Sequence, residues 1–273
     1  MKRFAALLTL AAVLVLPSLP VHAANIDLAK SSTLESIIQS GTLRVGLETG
    51  YLPFEMRDKR GDIVGFDVSM AKEMAKSMGV KLKLVNTAWD GIIPALLTNK
   101  FDIIMSGMTI TQQRNLKINF VDPYIIVGQT ILISKKLEGK VKSYKDLNSP
   151  KYTVVSKLGT TGEQATKRLI PKANYKSFET EPEAAMEVIN GRADAFVYDL
   201  PYCAVFFAQK GQGKLVFLDK PFTFEPLGWA VKKGDPDFLN WLNNFLRQVK
   251  GDGRYDKIYK KWITGTTWLK TVQ

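Results

Sequence analysis

Thr111-Gln112-Gln113-Arg114 puts a guanidinium on the third residue of a helix that Thr111 can cap, beside backbone N–H groups with no partner inside the helix. A positive side chain at such a helix start suits a carboxylate. Gly159-Thr160-Thr161-Gly162 offers a second helix start of the same electrostatic sign, and Lys157 lies just before it. Asp199 follows an apolar run and can accept hydrogen bonds from an ammonium. Glu48 is a second acid in an equivalent position, and Tyr51 and Trp89 supply aromatic faces. A carboxylate clamp plus an ammonium acceptor describes a free α-amino acid. Singly, each feature has a plainer reading: Arg114 as a surface ion pair, Trp89 as core, Asp199 as a helix cap, the Gly-Thr-Thr-Gly turn as a loop. Jointly they favour binding.

The elements that must hold these residues follow from hydrophobic patterning. Residues 43–47, 82–85 and 101–105 read as short buried strands. Among them, Ser32-Thr33-Leu34-Glu35 has capping-box spacing before a helix that Gly41 stops. Asp67 can cap a helix with Ala71, Met74, Ala75 and Met78 on one face, and Asp90 can cap another that runs through Pro94 to Leu97. A second series places strands at 152–156 and 193–198 and helices at 162–169 and 182–190. This alternation predicts an α/β fold with two lobes, each a parallel sheet covered on both faces. Segments 124–134 and 222–231 read as two strand-like crossings between the lobes. Beyond them Asp235 and Pro236 open a helix carrying Phe238, Leu242, Phe245 and Leu246, too apolar to stand free of the first lobe. Ligands of open α/β sheets bind beyond the carboxyl ends of the strands. The residues that follow the strands are Glu48 and Tyr51, Trp89, residues 106–111, Lys157 with 159–162, and Asp199, which takes in the set already singled out except Arg114, carried on the helix that Thr111 can cap.

Composition narrows the chemistry. The chain has 273 residues, 38 Lys plus Arg against 26 Asp plus Glu, one His and one Cys. A lone Cys203 permits no internal disulfide and no multi-cysteine metal site. Met1-Lys2-Arg3, the apolar run 4–16, Pro17 and Pro20, and Val21-His22-Ala23 have the order of a secretory signal peptide cleaved after Ala23. The apolar run falls well short of the ~20 residues a bilayer span requires. Loss of Lys2 and Arg3 lowers the formal charge from +12 to +10, and loss of His22 leaves no histidine. Histidine-based triads, histidine general bases and His-ligated zinc are thereby excluded. The positive charge reads as a lysine-rich surface, with no nucleic-acid footprint.

Six segments appear in an order that resembles a known family: Tyr51-Leu52-Pro53-Phe54-Glu55, Gly65-Phe66-Asp67, Trp89-Asp90-Gly91-Ile92-Ile93-Pro94, the run Ser106 to Arg114, Phe120-Val121-Asp122-Pro123-Tyr124, and the run Gly253 to Trp262. They resemble the signature of the polar amino-acid solute-binding proteins of ABC importers, bacterial extracellular solute-binding protein family 3, across essentially the whole mature chain. The resemblance implies a type II periplasmic binding protein: two Rossmann-like lobes joined by a two-strand hinge and closing on the ligand. It further implies that Arg114, with the backbone N–H groups of Thr109 and Thr161, holds the α-carboxylate. Asp199, with the Thr109 hydroxyl and the Gly107 carbonyl, would hold the α-ammonium. Tyr51 and Trp89 would sandwich the side chain, Ser106 would line the pocket, and Glu48 would meet the far end of a polar side chain. Two positions depart from the common pattern. Gly107 stands where many relatives have Ser, and Lys157 stands where some cationic-amino-acid binders are apolar and glutamine binders have Lys. Glu48 with two aromatic faces favours a cationic tail; Lys157 opposes it and suits an amide carbonyl.

The expected organisation is a signal peptide at 1–23, one lobe from 24–125 with 226–273, and the other from 126–225. The expected function is periplasmic capture of a polar L-amino acid, Lys or Arg ahead of Gln, for delivery to the membrane permease of an ABC transporter. A monomer without metal, cofactor or nucleic-acid partner is expected. Two other readings use the same scaffold. A cyclohexadienyl dehydratase-like enzyme would need a carboxylic acid as proton donor, and no cleft acid is left over for it. A ligand-sensing receptor would need a separate signalling partner.

Overall fold

The computed structural model describes residues 32–272, and the expected signal peptide lies outside them. In chain order the first elements are α1 (Thr33–Ser40), β1 (Thr42–Leu47), the hairpin β2 (Met56–Arg57) and β3 (Ile63–Val64), α2 (Phe66–Met78), β4 (Lys81–Asn86), α3 (Trp89–Leu97), β5 (Ile103–Ile104), α4 (Gln112–Asn115) and β6 (Asn119–Phe120). Then follow β7 (Ile125–Val127), β8 (Gln129–Ser134), β9 (Thr153–Lys157), α5 (Thr161–Leu169), β10 (Asn174–Phe178), α6 (Glu181–Ile189), β11 (Ala195–Asp199), α7 (Leu200–Phe206) and β12 (Leu215–Leu218). Then come β13 (Glu225–Leu227), β14 (Ala230–Val231), α8 (Pro236–Gly251) and α9 (Arg254–Tyr259), followed by helical turns at Lys260–Thr264 and Thr267–Lys270.

Two five-stranded sheets form the lobes, in the orders β4-β1-β5-β14-β6 and β10-β9-β11-β8-β12. Both are mixed, not parallel throughout. In the first, β1 runs parallel to β4 and β5, and β14 runs antiparallel to β5 and β6. In the second, β9 runs parallel to β10 and β11, and β8 runs antiparallel to β11 and β12. The reversed strands are the ones that arrive from the other lobe. Each enters its sheet directly after a crossing, with no helix to return the chain for parallel pairing.

The crossings are shorter than the sequence predicts. Among the described strands of the two crossings, β7 and β13 alone pair with each other, in the register Ile125 with Leu227 and Val127 with Glu225. The remainder of segment 124–134 is β8, buried at every residue in the second sheet, and the remainder of 222–231 includes β14 in the first. Periodicity does not separate an extended crossing from a core strand, because both are continuous apolar runs.

Local signals set most helix ends. Gly41 and Gly79 end α1 and α2 in the left-handed conformation. Ser32 caps α1 through the Leu34 N–H, so the reciprocal Glu35 contact of a capping box is not made. Asp235 caps α8 through the Phe238 N–H and also accepts from the Ser32 hydroxyl at 3.0 Å, tying α8 to α1. Two expected caps are different in fact. Gly65 precedes α2 and Asp67 is buried inside it, accepting from the Gly107 N–H, the Tyr124 hydroxyl and Trp229 Nε1. Asp90 is the second residue of α3, whose N-cap position is Ala88.

Candidate functional site

The first lobe brings its share of the cleft to the ends of β1 and β5 and to the start of α4. The Ser106 hydroxyl donates to Glu55 Oε1 at 2.6 Å and accepts from the Glu48 N–H at 3.1 Å, so it fixes the turn after β1. Gly107 has φ +53°, and a Cβ there would lie 2.1 Å from Tyr51 Cε1. Ring and backbone are therefore packed closely enough that a side chain at 107 would force the Tyr51 ring to shift. Thr111 caps α4 as expected, accepting from the Arg114 N–H at 3.1 Å. The Arg114 guanidinium donates to the Thr109 carbonyl at 2.8 Å and to the Gly159 carbonyl of the other lobe at 3.4 Å, with Trp89 5.3 Å away. It is buried, yet one face of the fork is held by backbone alone, which leaves a positive group poised for an anion.

The second lobe supplies Lys157 at the end of β9, Thr160 and Thr161 at the start of α5, Glu181 at the start of α6 and Asp199 at the end of β11. Thr160 is the N-cap of α5, accepting from the Glu163 N–H, and the Thr161 hydroxyl lies 3.3 Å from that of Thr109 across the cleft. Asp199 accepts from the Tyr51 hydroxyl of the first lobe and from Gln129 Nε2. Burial pushes the Asp199 carboxyl up to about 7, with Glu225 adding to the rise and Tyr51, Gln129 and Arg114 opposing it. Asp67 is equally buried but receives three hydrogen bonds and rises only to about 6. An ammonium would give Asp199 the partner that its surroundings lack.

At the other end of the cleft the Lys157 ammonium pairs with Glu48 and, at 3.0 Å, with Glu181, which also accepts from the Tyr198 hydroxyl at 2.8 Å. Burial alone would lower the Lys157 ammonium; Glu181 and then Glu48 outweigh it and hold it above its ordinary range. Burial likewise holds the Glu48 carboxyl above its usual value against the pull of Lys157.

Nine of the ten residues singled out from the sequence line one cavity: Glu48, Tyr51, Trp89, Ser106, Gly107, Thr109, Arg114, Thr161 and Asp199. Lys157 lies directly behind, against Glu48. The enclosed space is about 20 Å³, because the two lobes make their contacts across it. Trp89 presents its ring edge to the other lobe, donating from Nε1 to the Gly159 carbonyl at 3.1 Å. Tyr51 contributes its hydroxyl to Asp199 as well as its face.

Three polar residues were missed. Glu181 follows β10, a strand whose Asn174-Tyr175-Lys176-Ser177-Phe178 is half exposed at a sheet edge and carries no apolar run, so the sequence pattern does not mark its carboxyl end. Recognition of that strand would have pointed to Glu181. Gln129 was hidden by the reading of β8 as a crossing. Glu55 lies behind Ser106, fully buried, with its Oε2 unpartnered and its carboxyl held well above the usual range by burial and by Asp67. The expectation that no acid is left over in the cleft is thus wrong: Glu181 lines it. Among the described residues no group of three or more His, Cys, Asp or Glu is placed to hold a metal ion, and no helix is long and apolar enough to cross a membrane.

Two α/β lobes with mixed sheets, a two-strand hinge and a charged cleft between them define a type II periplasmic binding protein. Residues 43–265 match the family of bacterial extracellular solute-binding proteins, family 3, and the chain belongs to that family. A protein of Wolinella succinogenes DSM 1740, described as the binding component of an ABC transporter and solved in complex with lysine, is 63% identical, with a TM-score of 0.82 over 85% of this chain and 99% of that one. The ancestral amino acid-binding protein AncCDT-1, described as a precursor of cyclohexadienyl dehydratase, is 53% identical, with a TM-score of 0.81 over 85% of this chain and 100% of that one. The glutamine-binding protein GlnH of the Bacillus subtilis (strain 168) ABC transporter is 34% identical over 94% of this chain and 95% of its own length.

Proposed function

We propose that this chain captures one L-amino acid with a cationic side chain, lysine or arginine, in the periplasm and presents it to the membrane permease of an ABC importer. The carrying observation is the charge at the tail end of the cleft. Sequence alone sets Glu48 against Lys157, which leaves a balanced pair and no preference. Glu181 alters the count: two carboxylates surround one ammonium. A cationic tail makes this buried group neutral, whereas an amide leaves one carboxylate uncompensated. The lysine complex of the 63% identical relative supports the same preference.

At the other end Arg114 and the N–H groups of Thr109 and Thr161 take the α-carboxylate. Asp199, the Thr109 hydroxyl and the Gly107 carbonyl take the α-ammonium. Tyr51 and Trp89 flank the aliphatic stem, and Ser106 holds the Glu48 turn. The two bodies that close are 24–125 with 226–273 and 126–225, rotating about β7 and β13. Opening at that hinge creates the room that the closed cleft lacks.

The rival reading as a dehydratase needs a protonated acid facing the substrate. Glu181 is the added cleft acid, and it is engaged by Lys157 and Tyr198. Its contacts suit an ion-pair partner better than a proton donor. Calorimetry of the mature protein against lysine, arginine, histidine and glutamine tests the proposal. The expected result is at least about tenfold tighter binding of lysine or arginine than of glutamine, a difference of about 1.4 kcal/mol. Tighter binding of glutamine overturns the tail assignment, and turnover of prephenate in an ultraviolet assay overturns the receptor reading.

A further inference from the structure

The segment Gly65-Phe66-Asp67 takes no part in lining the cleft. Gly65 has φ +143°, and a Cβ there would lie 2.1 Å from the Phe54 carbonyl oxygen, so a glycine lets α2 begin this close to residue 54. The Asp67 N–H donates to the same carbonyl at 3.0 Å, which fixes the backbone from which the carboxylate projects. That carboxylate is wholly buried, and the partners it holds are neutral. Its Oδ2 accepts from the Gly107 N–H at 2.8 Å and from the Tyr124 hydroxyl at 2.9 Å, and its Oδ1 accepts from Trp229 Nε1 at 3.2 Å. An acid so placed costs more than an apolar side chain of the same size, so the places of its three donors matter. Tyr124 directly precedes β7, and Trp229 lies between β13 and β14. Gly107 belongs to the loop at the ammonium end of the cleft. The rest of that loop is bound to the hinge as well: the Met108 carbonyl accepts from the Gly228 N–H at 3.0 Å, Thr109 bridges to Leu227, and the Ile110 N–H donates to the Pro226 carbonyl at 2.8 Å. Tyr124 donates its N–H to the Leu227 carbonyl at 3.0 Å and stacks on Trp229 with ring centres 5.2 Å apart.

We propose that Asp67 is a positioning residue that ties the ammonium end of the cleft to the roots of both hinge strands. It fixes the Gly107 peptide through an oxygen that it shares with Tyr124, and it does not touch the ligand. The inference rests on the proposed function for the role of the Gly107 carbonyl. It adds that the seat of the α-ammonium and the hinge are one hydrogen-bonded unit, so that a change at the hinge root is felt at Gly107.

Calorimetry with L-lysine and with ε-aminocaproate, which is lysine without its α-ammonium, reads the tie in Asp67→Asn, Tyr124→Phe and the double variant. In Asp67→Asn the amide NH2 meets a donor whichever way it turns. L-Lysine should lose about tenfold in affinity, with ε-aminocaproate little changed. Tyr124→Phe should narrow the preference for L-lysine in the same direction by less. The double variant should lose no more than Asp67→Asn alone, since the route from Tyr124 to Gly107 passes through Asp67. An equal loss of both ligands in Asp67→Asn overturns the proposal, because a purely structural role gives that result. A preference unmoved by Tyr124→Phe, or losses that add, overturns the tie to the hinge. Tyr124→Phe keeps the carboxylate with its Gly107 and Trp229 donors, so it decides the tie even where Asp67→Asn does not fold. If the parent binds neither ligand, the proposed function fails, and the amide resonance of Gly107 in the free protein still decides the tie. That resonance should move in both variants; one that stays in place in Tyr124→Phe overturns the proposal.

Discussion

At one end of the cleft Arg114 and Asp199 stand on different lobes, one cation and one acid, each anchored by neutral groups: the Thr109 carbonyl for Arg114, Tyr51 and Gln129 for Asp199. At the other end Lys157 stands between Glu48 and Glu181, one cation and two acids. The first end matches what every α-amino acid carries, a carboxylate and an ammonium. The second is unbalanced by one negative charge, which on the proposed function is what would distinguish one side chain from another. Recognition of the shared part and of the variable part would then be separated in space, each governed by local charge balance in the low-dielectric interior of a closed cleft.

Removal of Arg114 should break the balanced end most severely. Arg114→Ala should weaken lysine, arginine and glutamine alike, by on the order of 3–5 kcal/mol, because a carboxylate would be buried without its partner. Calorimetry that found the loss confined to one amino acid would remove Arg114 from the shared end.

Asp199→Asn should cost comparable affinity yet act oppositely on the free protein. The folded-state value of about 7 lies above the ordinary 3.8. Ionisation therefore destabilises the closed form: not at all below about pH 4, increasingly between 4 and 7, and fully above 7. The variant should melt higher than the parent at pH 8 and no higher at pH 4, as thermal unfolding in the two buffers will reveal.

Glu48→Gln should act on the unbalanced end alone. Lysine should lose about 2 kcal/mol, the range of a hydrogen bond to a charged group, and glutamine little. A uniform loss for both would mean that Glu48 serves closure and not selectivity. Gly107→Ser should have the smallest effect, about 1–2 kcal/mol of stability, from a Cβ forced against Tyr51 at a left-handed backbone position. Unchanged melting would show that the Tyr51 ring yields.

Most of the α/β alternation was legible because glycine stops, capping residues and continuous apolar strands are local signals. Nine cleft residues, and Lys157 behind them, were legible for a related reason: all but Arg114 follow recognisable strands, and the geometry of open sheets sends such residues to one edge. What escaped shares a physical cause. The strand β10 is an edge strand, half exposed, and reads as polar loop; β8 is buried on both faces and reads like a crossing. With β10 not legible, nothing local marks Glu181, because an acid at a helix start is favoured by the helix dipole in any case.

Residue types and their order thus determined the two-lobed architecture and the placing of Arg114 and Asp199 at one cleft. Tertiary structure alone decided the charge at the far end. Glu48, Lys157 and Glu181 are separated by 109 and 24 residues along the chain, and only the closure of two sheets over one cleft puts them in contact. Charge balance in a buried site is a sum over neighbours in space, and no local pattern in the sequence carries that sum.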